Sequence, residues 1–501
     1  MTDILFTHSY FLRFDPKEFK AMMPYPPLGT LYAAAVAREE GYGVALFDAM
    51  LAESEDEIIP YLERHRPRFV VIYDDDFNYL TKMCLTRMRE AACRMASIAK
   101  RYGATIIVHG SDATDHLEKY FPHGVDYVLC GEGELTLREL LEALNSKGVI
   151  DPATIPGVAL RRDDGSIVQG PKRPLLRDLD MLPLPARDLI DIDRYRHAWR
   201  RRHGYFSLNV ATTRGCPFSC NWCAKPLYGQ VYNIHSPERT ALEMKLLKEE
   251  YGADHVWICD DIFGLKPEWV HAFANEVARL DATIPFKCLS RADLVIREGV
   301  AQSLLKAGCA TVWIGAESGS QKVLDAMDKG IAVGQIHRAT AKLRAMGIRV
   351  GFFLQLGYPG EEDRELHETM MMVRYALPDE IGISVSYPLP GTKFHDRVKA
   401  EMGSKRNWTE SADLAMLFRG TYTTQFYRIE QQRLHMDHRI HQGRNALRKI
   451  LNRSSTISRE EWRRILLLPY YRLRFGLLTA SSKRLTPPRA QATIPVPVVQ
   501  T

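Results

Sequence analysis

Through the first 130 residues, short apolar runs alternate with longer amphipathic stretches. Ile4 to Thr7, Val44 to Phe47, Phe69 to Tyr73, Thr105 to Val108 and Tyr127 to Leu129 have the length and residue types of buried strands, and helix-like segments separate them. That rhythm predicts βαβ units and a parallel sheet, whose ligands sit in the crevice beyond the carboxyl ends of the strands. After Ala143 the pattern loosens through Ile155-Pro-Gly-Val, an Asp-Asp-Gly turn at Asp163 and Pro183-Leu-Pro-Ala, the punctuation of a connecting segment. Near Tyr205 it resumes. Phe206, Leu208 and Val210 alternate with Ser207, Asn209 and Ala211, and further strands read as Val256 to Cys259, Phe286 to Leu289, Thr311 to Gly315, Val350 to Leu354 and Ile381 to Val385, each after a helical stretch. Reactive groups of such βα arrays collect in the loops that follow the strands. Farther on, helical patterning covers Glu430 to Leu451, and a Pro-rich tail from Pro487 reads as disordered.

Composition changes this picture little. The 501 residues are 46% hydrophobic and 26% charged, an ordinary globular balance, and at roughly 150 residues per domain they predict about three domains. Nine cysteines form an odd count without framework spacing, and Met1 to Phe6 lacks a charged region followed by an apolar core, so a reducing cytoplasm is the expected location. No uninterrupted apolar run reaches the roughly 18 residues of a membrane span. The net charge of +6 is unevenly placed: Gln431 to Thr501 holds 14 Lys and Arg against 3 Asp and Glu. A solvated helical face explains that excess, and no nucleic acid is expected, since basic-aromatic interleaving is absent from the body of the chain.

The candidate chemistry begins at Thr213-Arg-Gly-Cys-Pro-Phe-Ser-Cys-Asn-Trp-Cys223, where Cys216, Cys220 and Cys223 are spaced C-x3-C-x2-C directly after a strand. Three thiolates in one loop suit three irons of a 4Fe-4S cluster and leave the fourth iron open to a small molecule. A structural zinc site is the alternative; it would need a fourth ligand, and the first candidate downstream is His235. In the first half, Val108-His-Gly-Ser-Asp and Cys130-Gly-Glu-Gly-Glu follow predicted strands, and their glycines would let backbone approach a nucleotide-like ligand.

Pro26-Pro-Leu-Gly29, Asp126-Tyr-Val-Leu-Cys-Gly-Glu-Gly-Glu134 and Thr213-Arg-Gly-Cys216 resemble cobalamin-binding radical S-adenosylmethionine enzymes, including class B methyltransferases and the anaerobic magnesium-protoporphyrin ester cyclase. The likeness covers roughly Asp3 to Lys399. It implies an α/β chain: a Rossmann-like cobalamin domain (residues 1–147), a linker (148–203), a partial (β/α)6 barrel (204–400), a mainly helical region (401–486) and a disordered tail (487–501). For cobalamin it implies contacts from Pro27, Leu28, Gly29, Gly110, Ser111, Gly131, Glu132, Gly133 and Glu134. The Asp-x-His-x-x-Gly motif that gives some cobalamin proteins a histidine ligand to cobalt is missing, so a cobalt without that lower ligand is expected. For S-adenosylmethionine it implies Asp260 or, preferably, Asp261 for the amino group, Ser318 or Arg291 for the carboxylate, and Glu317 for the ribose. Adenine would be met by backbone near Gly357 and Pro388, with Trp222 supplying an aromatic face. Each of these has a plain alternative as a cap or turn residue.

The implied activity is reductive cleavage of S-adenosylmethionine to a 5′-deoxyadenosyl radical, with methylcobalamin methylating an unactivated carbon of a small-molecule or lipid substrate. The reductant would be a flavodoxin or ferredoxin. A cobalamin-dependent cyclase or oxidase is the alternative, and a non-catalytic cobalamin or iron-sulfur sensor is the alternative from another class. Cys84 and Cys93 read as one helix, Leu80 to Arg101, that turns them to opposite faces, so they and Cys130, Cys259, Cys288 and Cys309 are expected as buried free thiols. His435, His438 and His441 carry no acidic or thiol partner at fixed spacing and are not expected to bind metal. Arg463 to Leu478 is expected to pack on the barrel as a lid, with an anionic membrane surface as the alternative.

Overall fold

The computed structural model describes residues 2–146, 150–225, 227–452 and 457–485. Five parallel strands open the chain, β1 (Ile4–Thr7), β2 (Val44–Phe47), β3 (Phe69–Tyr73), β4 (Thr105–His109) and β5 (Tyr127–Leu129). Every residue of β3 is buried: with helices on both faces of a parallel sheet, each side chain of Phe-Val-Val-Ile-Tyr meets apolar neighbours. The helices that matter for the site are α1 (Leu28–Glu39), α2 (Tyr79–Lys82), α3 (Thr86–Arg101) and α4 (Glu134–Asn145). The expected Leu80 to Arg101 helix is interrupted. Cys84 takes a left-handed φ of 53°, and the first amides of α3 turn to Trp408 and Thr409 (Thr86 N to Trp408 O, 2.9 Å). Docking to the segment after the barrel sets that break. Cys84 and Cys93 are nonetheless buried free thiols, as are Cys130, Cys259, Cys288 and Cys309.

The expected linker is in part sheet. β6 (Val158–Arg161) pairs antiparallel with β5, and β7 (Ile167–Gln169) with β6, extending the sheet to the order β2-β1-β3-β4-β5-β6-β7. The Asp-Asp-Gly sequence is the tip of that hairpin, with Gly165 at φ 85°. Strands of three and four residues carry too little periodicity to be read, but they cover an edge that would otherwise expose unpaired backbone. Then α5 (Ile192–His203) leads to β8 (Ser207–Val210).

After β8 comes a two-strand ribbon, β9 (Thr213–Arg214) with β10 (Asn233–Ile234), then α6 (Pro237–Glu249) and strands β11 (His255–Ile258), β12 (Phe286–Ser290), β13 (Cys309–Glu317), β14 (Arg349–Leu356) and β15 (Glu380–Val385). The second sheet runs β8-β11-β12-β13-β14-β15, all parallel and in sequence order, the open half-barrel expected from six strands. Between β14 and β15 lies α7 (Asp363–Ala376); beyond the barrel come α8 (Thr424–Leu451), α9 (Arg459–Leu466) and α10 (Leu468–Leu485). No described helix is long and apolar enough to cross a membrane. The segment expected as a lid rests on α8, which itself packs on α7 and β15. Residues 487–501 lie outside the described residues.

The two sheets are fastened by buried hydrogen bonds. Asn209 donates to the Pro26 carbonyl (2.9 Å), Trp199 Nε1 to the Pro24 carbonyl (2.6 Å) and Tyr387 to the Met83 carbonyl (3.0 Å). Buried Arg187 joins the Asn209 carbonyl to Glu243 of α6.

Candidate active site

The cysteine loop leaves β8 and is closed at its base by β9 and β10. Asp260, at the end of β11, secures that base: its carboxylate accepts from the amides of Thr212 (2.6 Å) and Thr213 (3.0 Å) and from the Thr212 hydroxyl. Asp260 is buried, and desolvation pushes its carboxyl up to about 7. It therefore braces the base of the cysteine loop.

Cys216, Cys220 and Cys223 are half-buried free thiols. Burial, then the Asp261 carboxylate and the other two cysteines, push the Cys223 thiol up to about 12. Without added positive charge the loop disfavours thiolates, so the donors suit a cationic cluster that would stabilise them. Arg291 supplies a further contact, with its guanidinium 3.9 Å from Cys220 Sγ and 3.7 Å over the Phe218 ring. His235 does not complete a zinc site: its Nδ1 is 2.9 Å from Asp180, and it lies beside the Tyr32 ring. Among the described residues, no three His, Cys, Asp or Glu side chains converge on one metal ion. In α8, His438 Nε2 lies 2.7 Å from the Pro378 carbonyl and His441 Nδ1 lies 3.0 Å from the Asp437 carbonyl.

Around the loop stand other expected S-adenosylmethionine residues. Asp261 Oδ1 is 2.5 Å from Lys82 Nζ, which comes from α2 of the first domain. Glu317 sits beyond a bulge in β13 at φ 58°, with one carboxylate oxygen 2.7 Å from Lys329 Nζ. A non-glycine residue in that conformation is strained, a mark often found at functional positions. Lys329 also lies 5.9 Å over Trp222, whose buried indole nitrogen has no partner. Ser318 is fully buried, and its hydroxyl pairs with Thr369 (3.1 Å) and accepts the Ser320 amide (3.1 Å). The Gly357 amide is likewise engaged, by Glu361 at 2.6 Å, and Pro388 is buried.

The crevice over the first sheet has a different character. Ser9, Asp76, His109 and Ser111 follow or end β1, β3 and β4, and each has a buried polar atom without a hydrogen-bond partner. His109 Nε2 lies 2.9 Å from the Gly131 carbonyl, and burial lowers the ring to about 4, so it is neutral. Asp76 is raised well above the usual carboxylate range by burial and then by Glu134. Unsatisfied donors and acceptors along one strand edge fit the amide-rich rim of cobalamin. Gly110 and Ser111 border this edge, and Gly131 has open space where a Cβ would project.

Several residues expected to touch cobalamin have other work. Glu132 and Glu134 both bind Arg214, at 2.8 and 2.6 Å, with all three side chains at most 5% exposed. Gly133 is required by packing, since a Cβ there would come within 2.6 Å of both His109 and Tyr73. Gly29 donates its amide to Asp75 (2.9 Å), and Leu28 is in the apolar core with Tyr32; Pro27 caps α1. The sequence reading gave Arg214 no role, although its place two residues before Cys216, and an acidic pair two residues apart, were visible signals. Lys82, Asp76 and Lys329 were also missed, because nothing local marks them.

Two family models match the chain, the B12 binding domain over residues 20–141 and the Radical SAM superfamily over 210–373. An uncharacterized methyltransferase of Pyrococcus horikoshii, PH0819, is 29% identical over 380 residues, 74% of this chain and 77% of its own. The hopanoid C-3 methylase of Methylococcus capsulatus is 27% identical over 75% of this chain and 69% of its own. The anaerobic magnesium-protoporphyrin IX monomethyl ester cyclase of Rubrivivax gelatinosus is 25% identical, over 76% and 67%. Among solved structures, the cobalamin-dependent S-adenosylmethionine radical enzyme OxsB superposes with a TM-score of 0.73 at 16% identity, covering 98% of this chain and 74% of that one, a likeness of fold. The chain therefore carries a B12 binding domain followed by a radical S-adenosylmethionine domain, and the two imply a 4Fe-4S cluster, S-adenosylmethionine and cobalamin as cofactors.

Proposed function

We propose that this protein methylates an unactivated carbon of a small-molecule or lipid substrate. The observation that carries the reading is Arg214: two residues before the first cluster cysteine, it is gripped by both carboxylates of the loop that ends β5. That grip fixes the cysteine loop against the cobalamin domain, so that two cofactors can act on one substrate. When bound, the cluster and S-adenosylmethionine supply radical cleavage chemistry, and cobalamin supplies a transferable methyl group.

The chain's own residues bind and orient. Cys216, Cys220 and Cys223 hold the cluster, and Arg291 steadies the loop through Phe218 and the Cys220 sulfur. Asp261, now paired with Lys82, would hold the amino group of S-adenosylmethionine, Arg291 its carboxylate and Glu317 its ribose, with Lys329 anchoring one Glu317 oxygen. Trp222, with its indole nitrogen unpartnered, would supply the aromatic face for the adenosine. Gly110, Ser111 and Gly131, with Ser9, Asp76 and His109, line the cobalamin side. A flavodoxin or ferredoxin delivers the electron. The hopanoid methylase supports a methyl-transfer reading, and the porphyrin-ester cyclase supports a second one, cyclisation without methyl transfer.

Product analysis separates them. Reconstituted, reduced protein with cobalamin and a candidate substrate is expected to release S-adenosylhomocysteine and 5′-deoxyadenosine in equal amounts with each methylated product. 5′-Deoxyadenosine alone, with a cyclised or oxidised product, assigns the second reading. No 5′-deoxyadenosine from an intact cluster, across the substrates tried, contradicts both.

A further inference from the structure

Helices α9 and α10 carry two apolar faces, and only one is covered. On the inner face Leu468, Tyr471 and Leu478 are buried, and Phe475 is half-buried. Leu468, Tyr471 and Phe475 pack with Ile440 and Met436 of α8. Contact there is close: a Cβ at Gly443 of α8 would stand 2.8 Å from Leu468 Cδ2 and 3.0 Å from the Arg464 carbonyl, so the crossing needs glycine.

The outer face repeats the pattern toward solvent. Trp462 (48% exposed) and Leu466 (75%) of α9, then Tyr470 (52%), Leu473 (65%) and Leu477 (55%) of α10, follow one another at intervals of four, four, three and four residues, helical spacing on either side of the turn at Leu467. Arg463 and Arg474 fall along one side of it and Arg472 along the other, all exposed. Residues 459–485 hold seven Lys and Arg against two Asp and Glu. Scattered exposed leucines are ordinary, but an aligned stripe with aromatic residues and an arginine border marks a contact surface.

We propose that this stripe seats the protein on an anionic lipid bilayer, with α9 and α10 lying in the plane of the interface. The charge decides the occupant. A second copy would bring the two arginine borders together, whereas anionic headgroups complement them. Tryptophan and tyrosine have the amphipathic shape that settles at headgroup depth, and the helices are not apolar enough to cross. The proposal goes beyond the methyl-transfer reading and needs none of its chemistry.

Co-sedimentation of the full-length holoenzyme with vesicles tests it. The protein is expected to pellet with phosphatidylcholine vesicles containing about one-third phosphatidylglycerol, to stay in solution with pure phosphatidylcholine, and to dissociate as salt rises. Leu466→Ser with Leu473→Ser should abolish binding. Arg463→Gln with Arg474→Gln should weaken it roughly 30-fold, about fivefold for each charge. These positions are exposed, so thermal midpoints and elution volumes should match the parent. Binding indifferent to vesicle charge, or no binding, overturns the proposal. It is equally overturned if the leucine variant turns a dimer into a monomer while the parent ignores vesicles, which assigns the stripe to a second copy. Vesicle binding is read without turnover, so its failure and that of the methyl-transfer reading are distinguishable.

Discussion

At the base of the cysteine loop, every oxygen of Asp260 has a partner, and the loop above presents its thiols half-exposed. Across the interface, the crevice over the first sheet is the reverse: Ser9, Asp76, His109 and Ser111 are buried with polar atoms that make no hydrogen bond, His109 Nδ1 standing 3.5 Å from an Asp76 oxygen. One region is a finished scaffold for donors that a cluster completes. The other is an unfinished hydrogen-bond surface, fastened to the barrel by buried interactions beside it. Arg214 with Glu132 and Glu134 is the chief of these, and it joins the two regions. The difference teaches that residues beside a cofactor site need not touch the cofactor; here a glycine- and glutamate-rich loop with the look of a ligand cradle is largely a fastener.

The sharpest way to break the comparison is to remove the fastener. Arg214→Met leaves two carboxylates buried without a counter-ion and is expected to cost about 3–5 kcal/mol, measured by urea unfolding of the apoprotein. Adding Glu132→Gln and Glu134→Gln should recover much of that loss, because the uncompensated charge is then gone. If the triple variant is as unstable as the single one, the arginine acts through packing instead.

A smaller effect compares the two regions by pH. Burial raises Asp260 to about 7 and Asp74, in the crevice, to about 6. Both folded values exceed the unfolded value near 4, so the folded state binds the proton more tightly. The stability each adds is complete below pH 4 and is lost as pH rises, through 7 for Asp260 and through 6 for Asp74. Asp260→Asn should flatten the fall of stability between pH 4 and 7 by up to roughly 1.4 kcal/mol per pH unit, and Asp74→Asn should do so only up to pH 6. Equal windows for the two variants would erase the distinction.

Both sheets and the cysteine loop were legible because their signals are local. Five residues of Phe69–Tyr73 announce a doubly covered strand, and three cysteines lie within eight positions. The β6–β7 hairpin was not legible, since strands so short lack a period, nor was the break at Cys84, which depends on Trp408 more than 300 positions away. The same reason explains the site. Asp261 and Glu317 can be found as acids after strands, but their partners, Lys82 and Lys329, come from elsewhere in the chain. Asp260 and Asp261 are adjacent and identical in type, and only the fold tells them apart, burying the first and leaving the second exposed.

The central claim is that the Arg214 fastening holds the cluster loop and the cobalamin crevice face to face. Electron paramagnetic resonance of holoprotein containing both cob(II)alamin and the reduced cluster tests this most directly. The account predicts mutual dipolar broadening of the two signals, diminished in Arg214→Met while both cofactors stay bound; two unperturbed spectra in the parent protein would contradict it.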